Sequence, residues 1–275
     1  MRNTSLWLAA FRILLYGAAT LYLVLVGVAL FLSDRMIFQP QRSSYQDARD
    51  FLKLTTADGT RITATYLPNP AASYILLFSH GNAEDIGDNL PFFMQLRSAG
   101  FAVFAYDYHG YGTSGGTPSE KAIYSDVDAA YDYLTTTLHV PPDRIISFGR
   151  SVGTGVAIDL AARKPLAGLI VQSGFTTAFR VLTHVPLVPF DRFRNVDKIG
   201  RVRCPILFMH GRADGIIPFQ HGLKLYERAN PAKMSLWVDG AHHNDFEMVA
   251  GKRYFSALKE FAASLERQQA GSITR

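Results

Sequence analysis

The chain has 275 residues, of which 48% are hydrophobic and 19% are charged, so it is long enough for one large core, and it has neither an internal repeat nor a low-complexity tract. The formal net charge is +5, and the basic residues are scattered along the chain. They do not form the Lys/Arg stripe interleaved with aromatic residues that indicates a nucleic-acid partner. The single cysteine, Cys204, precludes an internal disulfide and is expected to pack before an apolar strand.

The first predicted element is a membrane span. Ile13 to Leu32 form an unbroken uncharged run of 20 residues, and a helix of about 20 apolar residues crosses a hydrocarbon core. A cleaved signal peptide is the alternative, but its apolar region usually has about 7 to 15 residues, and no small-x-small cleavage site follows this run. We therefore predict a flank over residues 1–12, a single-pass transmembrane helix over 13–32 and a linker over 33–50.

The side of the membrane on which the C-terminal domain lies is less clearly encoded. Arg2 and Arg12 precede the helix, whereas Arg35, Arg42 and Arg49 come after it. A long C-terminal domain is translocated largely regardless of local charge. Because a lone N-terminal signal-anchor normally exports the domain attached to its C-terminal end, the sequence favours an exported domain.

Strands and helices alternate over residues 51–268, which predicts one domain followed by a tail over 269–275. The first two strands lie in FLKLTTADGTRITATYLPN and are joined through Asp58-Gly59, a dipeptide typical of hairpin turns. Later strands are predicted in SYILLFSHG, FAVFAYDYHG, RIISFG, GLIVQS, PILFMHG and MSLWVDG, and helices in LPFFMQLRSAG, SEKAIYSDVDAAYDYLTTTL, the stretch after Ser151, FQHGLKLYERA and residues 246–267. Continuous apolar strands are expected where helices cover both faces of a parallel sheet, so the fold class is α/β.

A strand, a sharp turn and a helix are predicted around Ser151, within RIISFGRSVGTGVAIDLAARK. Gly149 to Gly153 match G-x-S-x-G, the pattern of a nucleophile elbow. Gly149 and Gly153 would let the strand and helix pass closely, so that a strained turn presents the serine hydroxyl at the sheet edge. A glycine-rich turn whose serine only caps the helix is the alternative. The flanking strand and helix favour the nucleophile.

A nucleophilic serine needs a histidine to take its proton and a carboxylate to orient that histidine. Asp214 follows the strand PILFMHG and precedes the candidate histidines, which gives the chain order expected of this fold. A turn or helix-capping aspartate is the alternative reading of Asp214. Asp239 and Asp245 are alternative acids. Both lie so close in sequence to the histidines that an unusual loop would be needed for either carboxylate to reach the far ring nitrogen of the histidine.

The candidate base lies after the last strand, where His242 and His243 are adjacent. Either of them could face the serine while the other points away or packs. His80 is a further histidine at a strand end, and we expect it to be buried and to orient its loop rather than to act as the base.

The oxyanion formed during acyl transfer must be met by N–H groups already in place. In this architecture one donor is the amide of the residue after the nucleophile, here Val152, and the other comes from the loop after an early strand. That loop is Ser79 to Ala83, where Gly81 would let the backbone approach, and the second donor is assigned to the Asn82 amide.

No metal or organic cofactor is expected. The sequence has no set of His, Cys, Asp and Glu at metal-site spacing, and no G-x-G-x-x-G or phosphate-loop motif follows a strand. Turnover would then depend on the protein's own side chains.

Six ordered blocks carry a resemblance to a known family: HGNAEDIGDNL, YDYHGYGTSGG, GRSVGTGVAIDLA, FDRFRNVDKI, CPILFMHGRADGIIP and GAHHND. From about Met36 onward the sequence resembles the α/β-hydrolase superfamily, in particular its membrane-anchored single-pass serine hydrolases. These are related to protein depalmitoylases and to serine aminopeptidase and prolyl-oligopeptidase-like hydrolases. The family's last block reads Gly, two variable residues, His, Asn, Asp, which places the base on His243. His109 stands where the family usually has an arginine. The resemblance therefore does not imply that this chain makes the surface contact of that arginine.

The resemblance implies hydrolysis of acyl ester or thioester bonds, including lipid-borne ones. Ser151 would attack the acyl carbonyl, His243 would relay the proton, Asp214 would hold His243, and water would release the acyl-enzyme. A cap-like insertion is expected over about 175–200, and its apolar stretch Phe175 to Phe193 would either line an acyl pocket or simply pack on the core. The alternatives are a serine peptidase of the aminopeptidase or oligopeptidase type, and a non-catalytic, membrane-tethered binding protein.

Overall fold

The computed structural model describes residues 2–47, 51–183, 185–230 and 232–273. Met1 of the predicted flank, residues 48–50 of the predicted linker, His184 of the predicted cap and residues 274–275 of the predicted tail lie outside the described residues. Every statement about structure concerns the described part of the chain.

One sheet organises the domain. The strands of the described chain are β1 Phe51–Thr55, β2 Arg61–Leu67, β3 Ile75–Ser79, β4 Ala102–Tyr106, β5 Ile145–Arg150, β6 Gly168–Gln172, β7 Ile206–Gly211 and β8 Lys233–Val238. They lie in the order β1-β2-β4-β3-β5-β6-β7-β8. β2 pairs antiparallel with both β1 and β4. All neighbouring pairs among β3 to β8 are parallel. The predicted α/β class, the mostly parallel sheet and the hairpin through Asp58-Gly59 are confirmed.

Helices cover both faces of the sheet, which explains the continuous apolar strands. In β3, Leu76 and Phe78 belong to the core on one face, and Ile75 and Leu77 belong to the core on the other. Alternate residues of a strand point to opposite faces, so both sets must be apolar when both faces are covered. Burying each such side chain fully contributes about 1.5–3 kcal/mol relative to exposure.

The helices of the described chain are α1 Arg2–Phe31, α2 Ser33–Ile37, α3 Leu90–Ser98, α4 Glu120–Asp132, α5 Gly153–Arg163, α6 Ala178–Thr183, α7 Asn195–Lys198, α8 Phe219–Arg228, α9 Phe246–Ala250 and α10 Lys252–Ile273. A π-helical turn, Tyr133–Thr137, continues α4, and short 3₁₀ turns span Pro142–Arg144 and Ile199–Arg201. The closing helix is divided into α9 and α10 at Gly251, whose φ of 54° and ψ of −132° are not helical. This break was not predicted, because a single glycine within a periodic pattern is often tolerated.

The apolar N-terminal run is a helix that could span a membrane. By length and composition the candidate span is Trp7–Phe31, with 25 residues and a mean hydropathy of 2.3, and its most apolar stretch is not buried by the protein. At about 1.5 Å per residue, this helix exceeds the thickness of a hydrocarbon core of about 30 Å. The span starts before Ile13 and includes Arg12, whose long side chain can reach the interface from near a helix end.

Residues 33–47 pack on the domain. Phe38 is buried and its ring lies 5.9 Å from that of Phe193. The Gln39 amide donates to the Asn82 Oδ1, 3.0 Å away, and the Ser44 amide donates to Asp85 at 2.7 Å. These contacts hold the C-terminal end of α1 beside the edge of the sheet at which the parallel strands end.

Candidate active site

Ser151 lies in the sharp turn between β5 and α5. Its φ of 53° is in the left-handed region, which is strained for a residue with a side chain. A Cβ on Gly149 would lie 2.5 Å from the Gly153 carbonyl oxygen, and one on Gly153 would lie 2.6 Å from the His80 carbonyl oxygen. Both positions therefore require glycine, and the turn has the geometry expected of a nucleophile elbow.

Ser151, His243 and Asp214 form one hydrogen-bonded line at the carboxyl edge of the sheet. The Ser151 hydroxyl donates to His243 Nε2 across 3.0 Å, and His243 Nδ1–H donates to Asp214 Oδ2 across 2.7 Å. The Asp214 side chain is fully buried, whereas that of His243 keeps 11% of its surface exposed. The serine therefore has a base within reach, and a buried carboxylate orients that base.

The loop after β7 holds Asp214 in its ionised form. Asp214 Oδ1 accepts hydrogen bonds from the backbone amides of Ile216 and Ile217, at 2.9 and 2.8 Å. Burial by itself would raise the pKa of Asp214, but hydrogen bonds from His210 and His243 outweigh it and hold the pKa below its usual range. A carboxylate is therefore available at neutral pH to stabilise a positive charge on His243.

The neighbouring histidine and acids serve other contacts. His242 is exposed, and its backbone amide donates to Asp245 Oδ1 at 2.6 Å, so Asp245 shapes the loop that carries the histidines. Asp239 pairs with Arg212 at 3.0 Å on the surface, where 92% of the Asp239 side chain is exposed. Within the described chain, the histidine that contacts Ser151 is His243.

The amides of Asn82 and Val152 are the candidate oxyanion donors. Both residues line the cavity that contains Ser151, and a Cβ on Gly81 would lie only 3.7 Å from that of Ser151. Neither amide donates a hydrogen bond to another residue of the described chain. The Asn82 side chain fixes its loop by donating to the Ile37 carbonyl at 2.6 Å. Asn82 and Val152 therefore remain the candidate donors to an oxyanion at Ser151.

His80 and His109 are buried in structural networks. His80 Nδ1–H donates to the Gly81 carbonyl at 2.7 Å, within the candidate oxyanion loop. His109 donates through Nδ1 to Asp126 at 2.5 Å, on α4. This hydrogen bond raises the pKa of His109, although burial opposes the shift. His109 is thus a buried contact between two elements and does not lie on the surface.

A half-buried ion pair that the sequence did not predict joins the elbow to the candidate oxyanion loop. Arg150, the residue before the serine, donates to Glu84 through Nε at 3.2 Å and Nη2 at 2.5 Å. Glu84 Oε1 also accepts the Gly81 amide. Burial would lower the pKa of Arg150, but Glu84 outweighs it and raises that pKa. The charge of Arg150 inside the predicted elbow could have indicated such a pair, because a charge that is removed from water needs a partner.

A cavity of about 780 Å³ reaches Ser151. This volume lies in the range of about 300–1,000 Å³ that is usual for ligand sites. The predicted cap supplies much of its apolar wall, including Phe179, Leu182, Leu187 and Phe190. The cap therefore lines a pocket at the serine.

Other reactive groups do not join this site. Within the described residues, no three His, Cys, Asp or Glu side chains group as metal ligands. Cys204 lies at the other end of β7, before its first residue, and burial raises the pKa of its thiol to about 12, which keeps it protonated at neutral pH.

The sequence is similar to several known proteins. A family model described as serine aminopeptidase, S33, matches residues 70–188. Alpha/beta hydrolase domain-containing protein 17B of Xenopus laevis is 42% identical over 238 residues, which are 85% of this chain and 82% of the relative. The human 17B protein is 40% identical over 238 residues, with the same two coverages of 85% and 82%. The mouse 17C protein is 40% identical over 236 residues, covering 85% of this chain and 73% of the relative.

Solved structures resemble the fold. The Pyrococcus furiosus esterase Pf2001 has a TM-score of 0.70 at 19% identity, over 83% of this chain and 98% of the esterase. A Paleococcus ferrophilus monoacylglycerol lipase has a TM-score of 0.60 at 21% identity, over 74% of this chain and 99% of the lipase. At such identities the likeness shows the fold alone.

Proposed function

Because this chain belongs to the α/β-hydrolase family of its 17B and 17C relatives and is a serine hydrolase, we propose that it cleaves acyl ester or thioester bonds through Ser151, His243 and Asp214. The observation that carries the proposal is the pair of hydrogen bonds, 3.0 Å and 2.7 Å long, that joins the three side chains in line. This family is the one that the six sequence blocks resemble.

In the proposed reaction, Ser151 Oγ bonds to the acyl carbon while its proton passes to His243 Nε2. The carbonyl oxygen becomes an oxyanion and accepts hydrogen bonds from the Asn82 and Val152 amides. The leaving oxygen or sulfur takes the proton from His243 as its bond to carbon breaks. Water then attacks the acyl carbon and gives a proton to His243 Nε2. As the bond between the acyl carbon and Ser151 Oγ breaks, His243 returns that proton to Ser151 Oγ, which releases the acid and restores the serine. Asp214 stabilises the imidazolium in both halves.

The cavity favours an acyl group over a peptide. Its wall is mainly apolar, which suits a hydrocarbon chain. A peptidase remains the second candidate, because the matching family model is described as serine aminopeptidase. An aminopeptidase would need a free carboxylate for the substrate amine. Asp191 and Asp197 line the cavity, but Asp191 accepts from Thr177 at 2.7 Å and Asp197 accepts from Arg194 at 2.6 Å.

The N-terminal helix acts, in this proposal, as a single-pass anchor that places the catalytic domain on the exported side. Among the described residues there is one candidate span, Trp7–Phe31, and its place near the N-terminus supports this arrangement. Labelling of intact cells with a membrane-impermeant fluorophosphonate tests the side. Reaction without permeabilisation is expected, and reaction only after permeabilisation would place the domain in the cytoplasm.

Covalent labelling tests the serine. Full-length protein in detergent should react with a fluorophosphonate, whereas Ser151→Ala should fold and remain unlabelled. Ser147→Ala is the matched control, because Ser147 is buried in β5 and its hydroxyl contacts no polar partner among the described residues. Labelling of Ser151→Ala at the wild-type level would refute the assignment. A wild-type protein that never reacts would favour the non-catalytic binding protein.

A substrate panel tests the bond that is cleaved. Nitrophenyl esters, acyl thioesters and aminoacyl amides should be compared at equal concentrations of fluorophosphonate-reactive enzyme. We expect turnover of the esters and thioesters. Preferential turnover of aminoacyl amides would instead establish the peptidase.

A further inference from the structure

The cavity at Ser151 is lined by two chemically different groups of residues. Ser151 and the candidate oxyanion residues line it, and Leu25, Val28 and Ala29 of α1 line it as well. These three residues lie inside the candidate membrane span. One continuous cavity therefore joins the reactive serine to the helix that would lie in the bilayer.

The end of α1 is held in place as part of this cavity. Arg192 of the cap donates through Nη2 to the Leu30 carbonyl at 3.2 Å and through Nε to the Ser33 hydroxyl at 3.1 Å. Val28 and Ala29 are half-buried, whereas Trp7 to Leu25 are exposed. The last two turns of α1 thus contact the domain, while the preceding turns stand clear of it.

The cap also presents apolar side chains to the cavity. Leu182 is 77% exposed, Val185 55% and Leu187 48%, and Ile216 across the cavity is 54% exposed. Leu182, Val185, Leu187 and Ile216 all contribute to the cavity lining. Exposed apolar groups gathered in this way mark a binding surface, and hydrocarbon is the natural neighbour of a surface next to a membrane span.

We propose that the last two turns of α1 form one wall of the acyl-binding site, so that the chain of a lipid-borne substrate enters from the bilayer between α1 and the cap. This inference rests on the proposed ester or thioester hydrolysis and names its substrate class: a long acyl group still held in a membrane. The carbonyl reaches Ser151, and the hydrocarbon lies along Leu25, Val28, Leu182 and Leu187.

The arrangement assigns α1 a role besides tethering. A tether only raises the local concentration of any membrane-borne substrate. If α1 forms a wall of the site, it also makes the enzyme discriminate between substrates of different acyl chain length, because only a long acyl chain contacts that wall. An entrance open to hydrocarbon further lets the chain move from lipid to cavity without crossing water, which removes the cost of exposing its methylene groups.

A matched pair of substitutions on α1 tests the wall. Val28→Trp fills the part of the cavity that α1 lines. Val24→Trp makes the same change one turn earlier, at a residue that is 57% exposed and does not line the cavity. Each full-length variant, reconstituted in phosphatidylcholine liposomes, is assayed with nitrophenyl palmitate in the bilayer and with nitrophenyl acetate in solution. The two esters share a leaving group, so the ratio of their turnover rates reports the effect of the acyl chain alone.

We expect Val28→Trp to lower the ratio of palmitate to acetate turnover about tenfold or more, a size usual for a blocked apolar subsite. Val24→Trp should keep the wild-type ratio. Rates are expressed per fluorophosphonate-reactive molecule, which corrects for misfolded protein. Ala29→Phe provides a second, smaller obstruction of the same wall.

The outcomes separate this inference from the proposed function. Equal ratios for the wild type, Val28→Trp and Ala29→Phe, with normal acetate hydrolysis, would overturn the wall and leave the hydrolase intact. An equal fall in the ratio for Val24→Trp and Val28→Trp would also overturn it, because tethering or helix depth would then explain both. A wild-type protein that hydrolyses neither ester would overturn the proposed function, and the wall with it.

Discussion

Replacing Glu84 with glutamine tests whether the ion pair behind the serine positions the oxyanion loop. Glu84 contacts both Arg150 of the elbow and the Gly81 amide next to Asn82. Glutamine has nearly the same shape but lacks the charge, so Arg150 loses its main counter-ion and the Gly81 amide a charged acceptor. Both stability and catalysis should therefore fall.

The structure sets the size of the stability change. Breaking a buried ion pair by removing one partner costs about 3–5 kcal/mol. Here the Arg150 and Glu84 side chains keep 18% and 24% of their surface exposed, and Glu247 remains 3.4 Å from Arg150. We therefore expect about 1–3 kcal/mol, or a fall in Tm of roughly 4–8 °C at the middle of that range.

The catalytic change should appear in kcat. Removing an oxyanion donor costs about 10²–10³-fold, but in this variant the Asn82 amide stays present and its side chain still bonds to the Ile37 carbonyl. A displaced donor should cost less, about tenfold. KM should change little, because the donor acts mainly on charge that develops in the transition state.

Glu247→Gln is the matched control. It removes the same charge from the same Arg150, and Glu247 does not contact the oxyanion loop in the described chain. Thermal unfolding and steady-state hydrolysis of nitrophenyl acetate measure the two effects. We expect both variants to lose stability, and only Glu84→Gln to lose kcat. Equal kcat losses, or a destabilised Glu84→Gln with normal kcat, would refute the positioning role.

The pH dependence gives a second check on Glu84. Burial would raise the pKa of Glu84, but Arg150 outweighs it and holds that pKa below its ordinary value. A lowered pKa in the folded state contributes stability above the unfolded pKa of about 4.3, and that stability is lost as pH falls through the folded value. The Tm difference between wild type and Glu84→Gln should therefore be largest near neutral pH and shrink below about pH 4.

Three further predictions concern the triad and the anchor. His243→Ala should lower kcat by about 10⁴-fold or more in ester hydrolysis, whereas exposed His242→Ala should retain most activity; the reverse ranking would move the base to His242. Asp214→Asn should lower kcat about 10⁴-fold while leaving the fold intact by circular dichroism, because an amide favours the wrong histidine tautomer. Deleting residues 1–32 should lower liposome-borne nitrophenyl palmitate hydrolysis more than nitrophenyl acetate hydrolysis, and an equal loss would show that the helix supports the fold.

Local patterns predicted the fold class and the candidate nucleophile. The strands around Phe78 and Phe148 read as continuous apolar runs because helices cover both faces of the sheet. The glycines beside Ser151 are visible in sequence because the close approach of β5 and α5 leaves no room for a side chain. Both signals are short-range, and both could be read without knowing the order of the strands.

The choice between His242 and His243 is an intermediate case. Adjacent loop residues carry no periodicity that separates them, and only the resemblance favoured His243. In the structure, Asp245 binds the His242 amide and Asp214 binds the His243 ring. Loop geometry and a residue 29 positions earlier in the chain therefore distinguish them.

By itself, the sequence determined an apolar helix, an α/β sheet and the residues from which a serine site could be built. Only the tertiary structure decided that Glu84 and Arg150 join the two halves of that site, 66 positions apart, and that Val28 lines the same cavity as Ser151. Such contacts have no local signature, because they depend on which strands are neighbours and on how Arg192 holds the end of α1 against the cap. Periodicity reports which face of an element is buried, and not which distant residue covers it.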